Sequence, residues 1–502
     1  MHCATKGLLH SFAVAIGDES HGWAKLILAQ YGDFEDLARR ESAKTRGFTS
    51  RAYFVLASAA TDSNDCTGRW IKFGWSGLNV LSGNSKFMRR PLSLSPSSLA
   101  LDNLRAVVIL IVLAFHSVLA YVRWIPLSAS GFDESPYRWR SFPIVDGHRW
   151  FGFDLFCAWQ DVYLMSLMFL LSGLFVWSSL RRKRNWGFVR DRLFRLGIPY
   201  VFGVVVLIPV AVYPAYLVTG ADLSLSDYLR QYLALPFLPN GQLWFLWQLL
   251  ALNCVAAGVN LIAPDVLPAL GRWSASAGRR PGFYFGVLVA ASAVVYVPLA
   301  LAFTPWAWSD SGLLAVQWSR PLLYGVYFFA GLGIGVQGID GGLVAADGAL
   351  ARHWKHWLVA AIVSLVVWMG VASLTMDGPA PIGIEIAADL CFVTACAAGC
   401  FFLIAASLQF GARQSRVLAA LSFNAYSLYL VHYDFVVWLQ YALLASTLFA
   451  VVKGAIVFTA TLVLSSITVV AVQRIPFGAR LIGIITPRPV AEFASSAPRE
   501  PA

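Results

Sequence analysis

The pattern of apolar and polar positions divides most of this chain into long apolar stretches separated by short polar loops. Ten stretches are long enough to cross a bilayer, because a helix needs about 20 apolar residues to span the hydrocarbon core. They cover residues 104–125, 155–179, 197–218, 243–263, 283–304, 320–338, 356–375, 384–408, 420–440 and 454–473. The pattern therefore predicts an all-α, polytopic integral membrane protein, a helical bundle of about ten transmembrane helices.

The two ends of the chain do not follow this pattern. Residues 1–95 are mixed polar and apolar without a span, so we expect an N-terminal extension of unknown role, disordered or an artefact of the start site. Residues before Met88 are expected to be dispensable. Residues 96–480 form the predicted membrane domain, and the Pro-, Ala- and Ser-rich residues 481–502 form a predicted disordered cytoplasmic tail.

Composition supports the membrane interpretation. Of 502 residues, 58% are hydrophobic and only 13% are charged, and the mean hydropathy is +0.64. A soluble domain carries about 25% charged residues, which this chain lacks. The seven cysteines form no metal-ligand spacing, and packing explains them, so we expect no metal site.

The distribution of basic residues predicts the orientation. The loops on one side, with the C-terminal tail, hold eighteen Lys and Arg (residues 181–184, 190, 192, 195, 272, 279, 280, 352, 355, 413, 416, 474, 480, 488 and 499). The other side holds seven (residues 123, 138, 140, 149, 230, 320 and 453). Because cytoplasmic loops are enriched in Lys and Arg, both termini are predicted to be cytoplasmic. The net charge of +11 is then a topology signal, and a nucleic-acid partner is not needed to explain it.

The first predicted span contains the most informative polar pair, Arg105 and His116. Eleven helical residues correspond to about three turns, so both side chains lie on one face, ~16 Å apart along the axis. An arginine at the cytoplasmic mouth suits a phosphate or carboxylate, and a neutral imidazole in the membrane suits a proton acceptor. The alternative is a snorkelling arginine and a histidine that satisfies a neighbouring helix.

Four segments in order resemble acyltransferase family 3. They are LDNLRAVVILIVLAFH at 101–116, LMFLLSGLF at 167–175 with the following arginine-rich loop, GQLWFLWQLL at 241–250 and NAYSLYLVHY at 424–433. Among family members, the resemblance is to enzymes that succinylate periplasmic glucans. It implies transfer of an acyl group, such as acetyl or succinyl, from cytoplasmic acyl-CoA to a hydroxyl of an extracytoplasmic glycan. The enzyme would lie in the inner (plasma) membrane, with acyl-CoA as co-substrate and no bound cofactor.

By the same resemblance, Arg105 would hold the donor and His116 would be the catalytic base. An extended pantetheine arm is about as long as the Arg105–His116 rise, which agrees with that assignment. Family members often have His before the LWFL segment, where this chain has Gln242. A rival function from another class is a transporter or flippase that moves a glycan or lipid-linked precursor without acyl chemistry.

Further polar and aromatic groups are candidates for the same site. Asp161 is a predicted catalytic partner that would orient His116 or the acceptor hydroxyl; the alternative is a solvated helix end. Asn424 and His432 share a helix face and are predicted to line a substrate pocket. The remaining predicted pocket residues are Gln242, Trp244 and Tyr429.

Overall fold

The structure of the protein is a computed structural model that describes residues 95–125, 131–135, 137–219, 224–309, 312–376, 378, 380–475 and 478. The predicted N-terminal extension and the C-terminal tail lie outside these residues. Fifteen α-helices are described: α1 Pro96–Val118, α2 Phe151–Gly173, α3 Val176–Arg192, α4 Ile198–Phe202, α5 Ile208–Val218, α6 Leu225–Ala234, α7 Trp244–Ile262, α8 Val266–Gly278, α9 Pro281–Phe303, α10 Pro321–Val336, α11 Ala349–Arg352, α12 Trp354–Ser373, α13 Ile382–Phe410, α14 Arg416–Ala442 and α15 Ala450–Gln473. The β structure in the described part is limited to two isolated bridges.

The chain is a polytopic helical membrane protein. Eight described helical segments are long and apolar enough to cross a bilayer. The two other predicted spans are also helices, but α10 has only 16 residues and α14 carries a polar motif within its 27 residues. Each of the ten predicted stretches therefore overlaps a helix, and the all-α bundle is confirmed.

The arginine-rich segment after α2 differs from the predicted loop. Residues Val176–Val218 are helical almost throughout. The helix is kinked at Arg184, whose backbone angles are not helical (φ 58°, ψ 167°). Beyond it, two π-helical turns, Leu193–Gly197 and Gly203–Leu207, join α3, α4 and α5. The helix that leads into the predicted third span thus begins well before residue 197, because the basic residues of this segment are good helix formers.

Three glycines allow α2 and α10 to pack with their backbones in contact. A Cβ at Gly331 would lie 2.0 Å from the Leu170 carbonyl oxygen, and one at Gly335 equally close to that of Leu174. From the other side, a Cβ at Gly173 would lie 2.1 Å from the Phe328 carbonyl oxygen. Small residues permit such close approach in membrane helices. The GxxxG of α10 therefore serves packing within the chain.

Helix α1 packs against α2, α13, α14 and α15. Two polar contacts fix its first half. The Asn103 amide donates to the carbonyl oxygens of Gly411 and Arg413, at 2.6 and 2.9 Å, in the connection between α13 and α14. The Ser407 hydroxyl donates to the Ala100 carbonyl oxygen at 2.7 Å. These bonds hold α1 beside the start of α14, and the two helices meet again further along at a pair of histidines.

Candidate active site

The centre of the candidate site is a pair of histidines, one on α1 and one on α14. Nε2 of His432 lies 3.3 Å from Nδ1 of His116, although 316 positions separate them in sequence. Their ring centroids are 5.0 Å apart. Burying two ionisable imidazoles inside a membrane protein costs free energy, so such a pair is a candidate functional site.

The surrounding carbonyl groups define which nitrogen of each ring carries the proton. Nδ1 of His432 lies 2.7 Å from the Tyr429 carbonyl oxygen, and Nδ1 of His116 lies 2.9 Å from that of Val112. A carbonyl only accepts, so in the neutral rings both Nδ1 atoms are protonated. The Nδ1–H of His116 is then shared between Val112 and Nε2 of His432. Nε2 of His116 keeps a free lone pair, as a proton acceptor requires.

The two rings differ in their exposure. His432 is fully buried, whereas His116 is partly exposed. The rings of Phe115 and Tyr433 contact that of His116 edge-on, with centroids 5.0 and 5.5 Å away. The Gln440 amide donates to the His116 carbonyl oxygen at 2.8 Å and holds the backbone at this level. The arrangement leaves the His116 ring accessible and places His432 where it can orient that ring.

The tyrosines of the NAYSLYLVHY segment anchor irregular backbone around the histidine pair. The Tyr426 hydroxyl donates to the Arg195 carbonyl oxygen at 2.8 Å, in the first π-helical turn. The Tyr429 hydroxyl donates to the Gln242 carbonyl oxygen, in the short turn that precedes α7. Positions 426, 429 and 432 follow one another at a spacing of three, so they lie near one face of α14. This face connects the π-helical segment, the start of α7 and His116.

The turn Gly241–Leu243 closes the site on one side. Gly241 has φ of +48°, and a Cβ there would lie 2.7 Å from Ile208 and 3.4 Å from the Tyr433 ring. Glycine therefore permits both the left-handed backbone and the contact with Tyr433. Next to it, Gln242 is buried, and neither its side-chain nitrogen nor its oxygen has a partner in the described part of the chain.

The structure places the other predicted pocket residues as follows. Tyr429 is buried, and its ring centroid lies 5.9 Å from that of His432. The Trp244 ring stacks on Tyr324, with centroids 5.7 Å apart, and meets Trp308 at 5.8 Å. His432 thus contacts His116, and Tyr429 joins His432 to the backbone of Gln242. Trp244 extends from that wall towards α10.

The Asn424 side chain makes its hydrogen bonds away from the histidine pair. The Asn424 side chain donates to the Ala420 carbonyl oxygen and accepts from Gln473, at 3.0 and 2.8 Å, so it joins α14 to the end of α15. Asn424 shares a face with His432, but eight residues place it ~12 Å away along the helix.

Asp161 forms an ion pair with Arg320 instead of contacting His116. The pair is bidentate, with nitrogen–oxygen distances of 2.7 and 3.1 Å. The Arg320 side chain is 2% exposed, whereas that of Asp161 is 35% exposed. Within the described residues, the His116 ring has hydrogen-bond contacts with Val112 and His432 and none with Asp161. A role of Asp161 towards the acceptor hydroxyl stays a prediction.

Arg105 lies near the middle of α1, about three turns before His116, which is in the last turn. Helix α1 is unbroken from Pro96 to Val118, so the eleven-residue spacing does place both side chains on one face. The guanidinium lies 3.2 Å from Asp102 and 4.1 Å above the Phe175 ring. The Arg105 side chain is 37% exposed, so a ligand can reach it.

Sequence reasoning missed the charges that are buried at the His116 end of α1. Lys453 and Asp146 are 0% and 1% exposed and form an ion pair at 2.7 Å, with Nδ1 of His148 3.4 Å from the ammonium. The Asp146 backbone amide donates to the Ala120 carbonyl oxygen, one turn beyond His116. From the sequence, Lys453 and Arg320 were counted only among the basic residues of the outer side. The only signal of burial in the sequence was the position of Lys453, directly before the apolar stretch 454–473.

These features together define an integral membrane protein with a pair of contacting histidines on two of its helices. The chain matches the acyltransferase domain of acyltransferase family 3 over residues 98–471. It therefore belongs to that family of membrane acyltransferases. Neither curated proteins nor solved structures gave a match. In the described residues, no group of three or more His, Cys, Asp or Glu side chains could hold a metal ion.

Proposed function

We propose that this protein is an O-acyltransferase that moves an acyl group from cytoplasmic acyl-CoA to a hydroxyl of an extracytoplasmic acceptor. The observation that carries the proposal is the His116–His432 pair, with a free Nε2 on the more exposed ring. A general base must present a lone pair to the proton it removes, and His116 does so. Membership of the family supports acyl transfer as the reaction, and the histidine pair contains the residue that would begin it by removing a proton.

The reaction is a single displacement. Nε2 of His116 removes the proton of the acceptor hydroxyl while the hydroxyl oxygen attacks the carbonyl carbon of the thioester. The new carbon–oxygen bond forms, and the carbonyl electron pair moves onto its oxygen. When this oxyanion collapses, the carbon–sulfur bond breaks, and the CoA thiolate takes the proton from His116. His432 accepts from Nδ1–H of His116 throughout and stabilises the imidazolium.

Arg105 is the proposed donor clamp. Arginine pairs with phosphate in a bidentate manner, and the CoA moiety carries phosphates at the end remote from its thioester. The predicted orientation puts Arg105 at the cytoplasmic side. The extended pantetheine arm would cover the ~16 Å from Arg105 to His116 along α1. The donor then stays on the cytoplasmic side while its thioester reaches the histidine.

The proposed acceptor is a glycan, modified by O-acetylation or succinylation at the inner membrane. Large exposed aromatic side chains support this choice at the predicted outer end of α1. Trp124 and Trp150 are 59% and 48% exposed, and the Trp150 amide donates to the Tyr121 carbonyl oxygen. Tryptophans at this level also suit a membrane interface. Here they surround the end of the helix that carries His116.

Reconstituted protein tests the function directly. Proteoliposomes are given radiolabelled acetyl-CoA or succinyl-CoA on one side and oligosaccharide on the other, and acylated sugar is measured by mass spectrometry. We expect acyl-sugar and free CoA in equal amounts. Movement of intact sugar without acylation would support the transporter instead. Mass spectrometry of envelope glycans from a deletion strain identifies the native acceptor as the glycan that loses its acyl groups.

A further inference from the structure

The Gln242 side chain is an unexplained buried amide at the edge of the site. The residue is 5% exposed, and both side-chain polar atoms are buried without a partner in the described part of the protein. Buried polar groups in native proteins are nearly always hydrogen-bonded, and an unpartnered one destabilises the fold. An apolar side chain at this position would avoid that destabilisation. Stability of the fold therefore does not explain why the position holds an amide.

The neighbours of Gln242 place it in the wall that carries the histidine pair. Its carbonyl oxygen accepts from the Tyr429 hydroxyl, three residues before His432 on α14. The preceding residue, Gly241, packs on the ring of Tyr433, and that ring lies 5.5 Å from the His116 ring. The backbone of Gln242 is therefore held by the same turn of α14 that orients the base.

Gln242 offers this site an amide donor without a described partner, whereas the nearby Gln440 amide already donates to the His116 carbonyl oxygen. His116 removes a proton, but the tetrahedral intermediate also places a negative charge on the former carbonyl oxygen. Catalysts of acyl transfer stabilise that oxygen with preorganised N–H donors. The histidine pair cannot serve, because in the neutral rings both Nδ1–H groups already donate to Val112 and Tyr429.

We propose that Gln242 donates its side-chain Nε2–H to the acyl carbonyl oxygen and stabilises the oxyanion. This inference rests on the proposed function. As the hydroxyl oxygen bonds to the carbonyl carbon, the carbonyl electron pair moves onto the oxygen that Gln242 contacts. The pair returns when the carbon–sulfur bond breaks and the thiolate leaves. The unpartnered amide of the free protein acquires its partner when the acyl group is bound.

The test compares three variants of the full chain in detergent. Gln242→Met removes the donor and keeps the side-chain length. Gln242→His keeps an N–H donor. Gln248→Met is the matched control: Gln248 is 5% exposed, its side-chain oxygen also lacks a described partner, and it lies ~9 Å further along α7. Each variant is measured for acyl transfer to sugar, KM for acyl-CoA and temperature of unfolding.

Gln242→Met should lower kcat by about 10²- to 10³-fold, the usual effect of removing one oxyanion donor. Its unfolding temperature should be equal to or above that of the wild type, because the substitution removes unpartnered polar atoms. Gln242→His should retain at least a tenth of the wild-type kcat, and Gln248→Met should stay within threefold.

Two results would overturn the assignment. Near wild-type kcat in Gln242→Met would show that the amide does not act on the acyl group. A large drop in unfolding temperature would show that it has partners in the protein and serves the fold. Wild-type protein without any acyl transfer would instead refute the proposed function, so the two failures are distinguishable.

Discussion

Replacing His432 with phenylalanine tests whether this buried ring orients and stabilises the base. Phenylalanine fills the space of a side chain that is fully buried, so packing is largely kept. It removes the nitrogen 3.3 Å from Nδ1 of His116. When His116 takes the proton of the acceptor, Nδ1–H becomes part of an imidazolium, and the bond to His432 becomes charge-assisted.

The expected loss follows from that bond. A hydrogen bond to a charged group contributes about 1.5–3 kcal/mol, which corresponds to about 10- to 150-fold in rate. The Val112 carbonyl oxygen, 2.9 Å from the same nitrogen, still accepts after the substitution. We therefore expect the lower part of the range, about 10- to 30-fold in kcat, with little change in KM for the donor.

Acyl transfer is measured for His432→Phe, His116→Ala and the double variant. If His432 acts through His116, it has nothing to act on once His116 is gone, and the double variant should match His116→Ala. Independent losses that multiply in the double variant would refute the reasoning. So would a His432→Phe protein with wild-type kcat and a wild-type unfolding temperature.

Three other predictions concern the donor end, the buried ion pair and the orientation. Arg105→Ala should raise KM for acyl-CoA about tenfold or more with a smaller effect on kcat, and Arg105→Lys should restore only part, as initial rates would show. Asp161→Leu should lower the unfolding temperature more than Arg320→Met, because it leaves a 2%-exposed guanidinium unpaired, and the double variant should recover stability. Reporter fusions after Ser179 and Trp139 should report opposite sides of the membrane; the same side for both would contradict the predicted second span.

The spans were predictable because their signal is local. Membrane-spanning helices need long apolar stretches, and α1, α9 and α15 show such stretches in the sequence alone. The kink at Arg184 was not predicted, since the basic residues that precede it favour helix and position 184 itself is neither glycine nor proline. Helix α14, in contrast, was predicted from its length and motif, although its polar face lowers its mean hydropathy.

The site was predictable along one helix but not between helices. Arg105 and His116 follow from the spacing within α1. The partner of each charged group lies far away in sequence: Asp161 and Arg320 are 159 positions apart, and Asp146 and Lys453 are 307 apart. Periodicity carries no information about such pairs. The sequence suggested that Asp161 orients His116 or the acceptor hydroxyl, whereas the residue that the fold places in contact with the His116 ring is His432.

His116→Gln tests the central claim most directly. Glutamine keeps a polar side chain of similar reach that can still donate to Val112 or His432, but it cannot accept a proton at neutral pH. Acyl transfer and thermal unfolding in detergent are measured beside wild type and His116→Ala. If His116 is the base, the Gln protein unfolds at the wild-type temperature and its transfer rate falls by about 10²- to 10⁴-fold. A well-folded His116→Gln protein with near wild-type acyl transfer would contradict the account, because His116 would then serve only to satisfy its neighbouring helix.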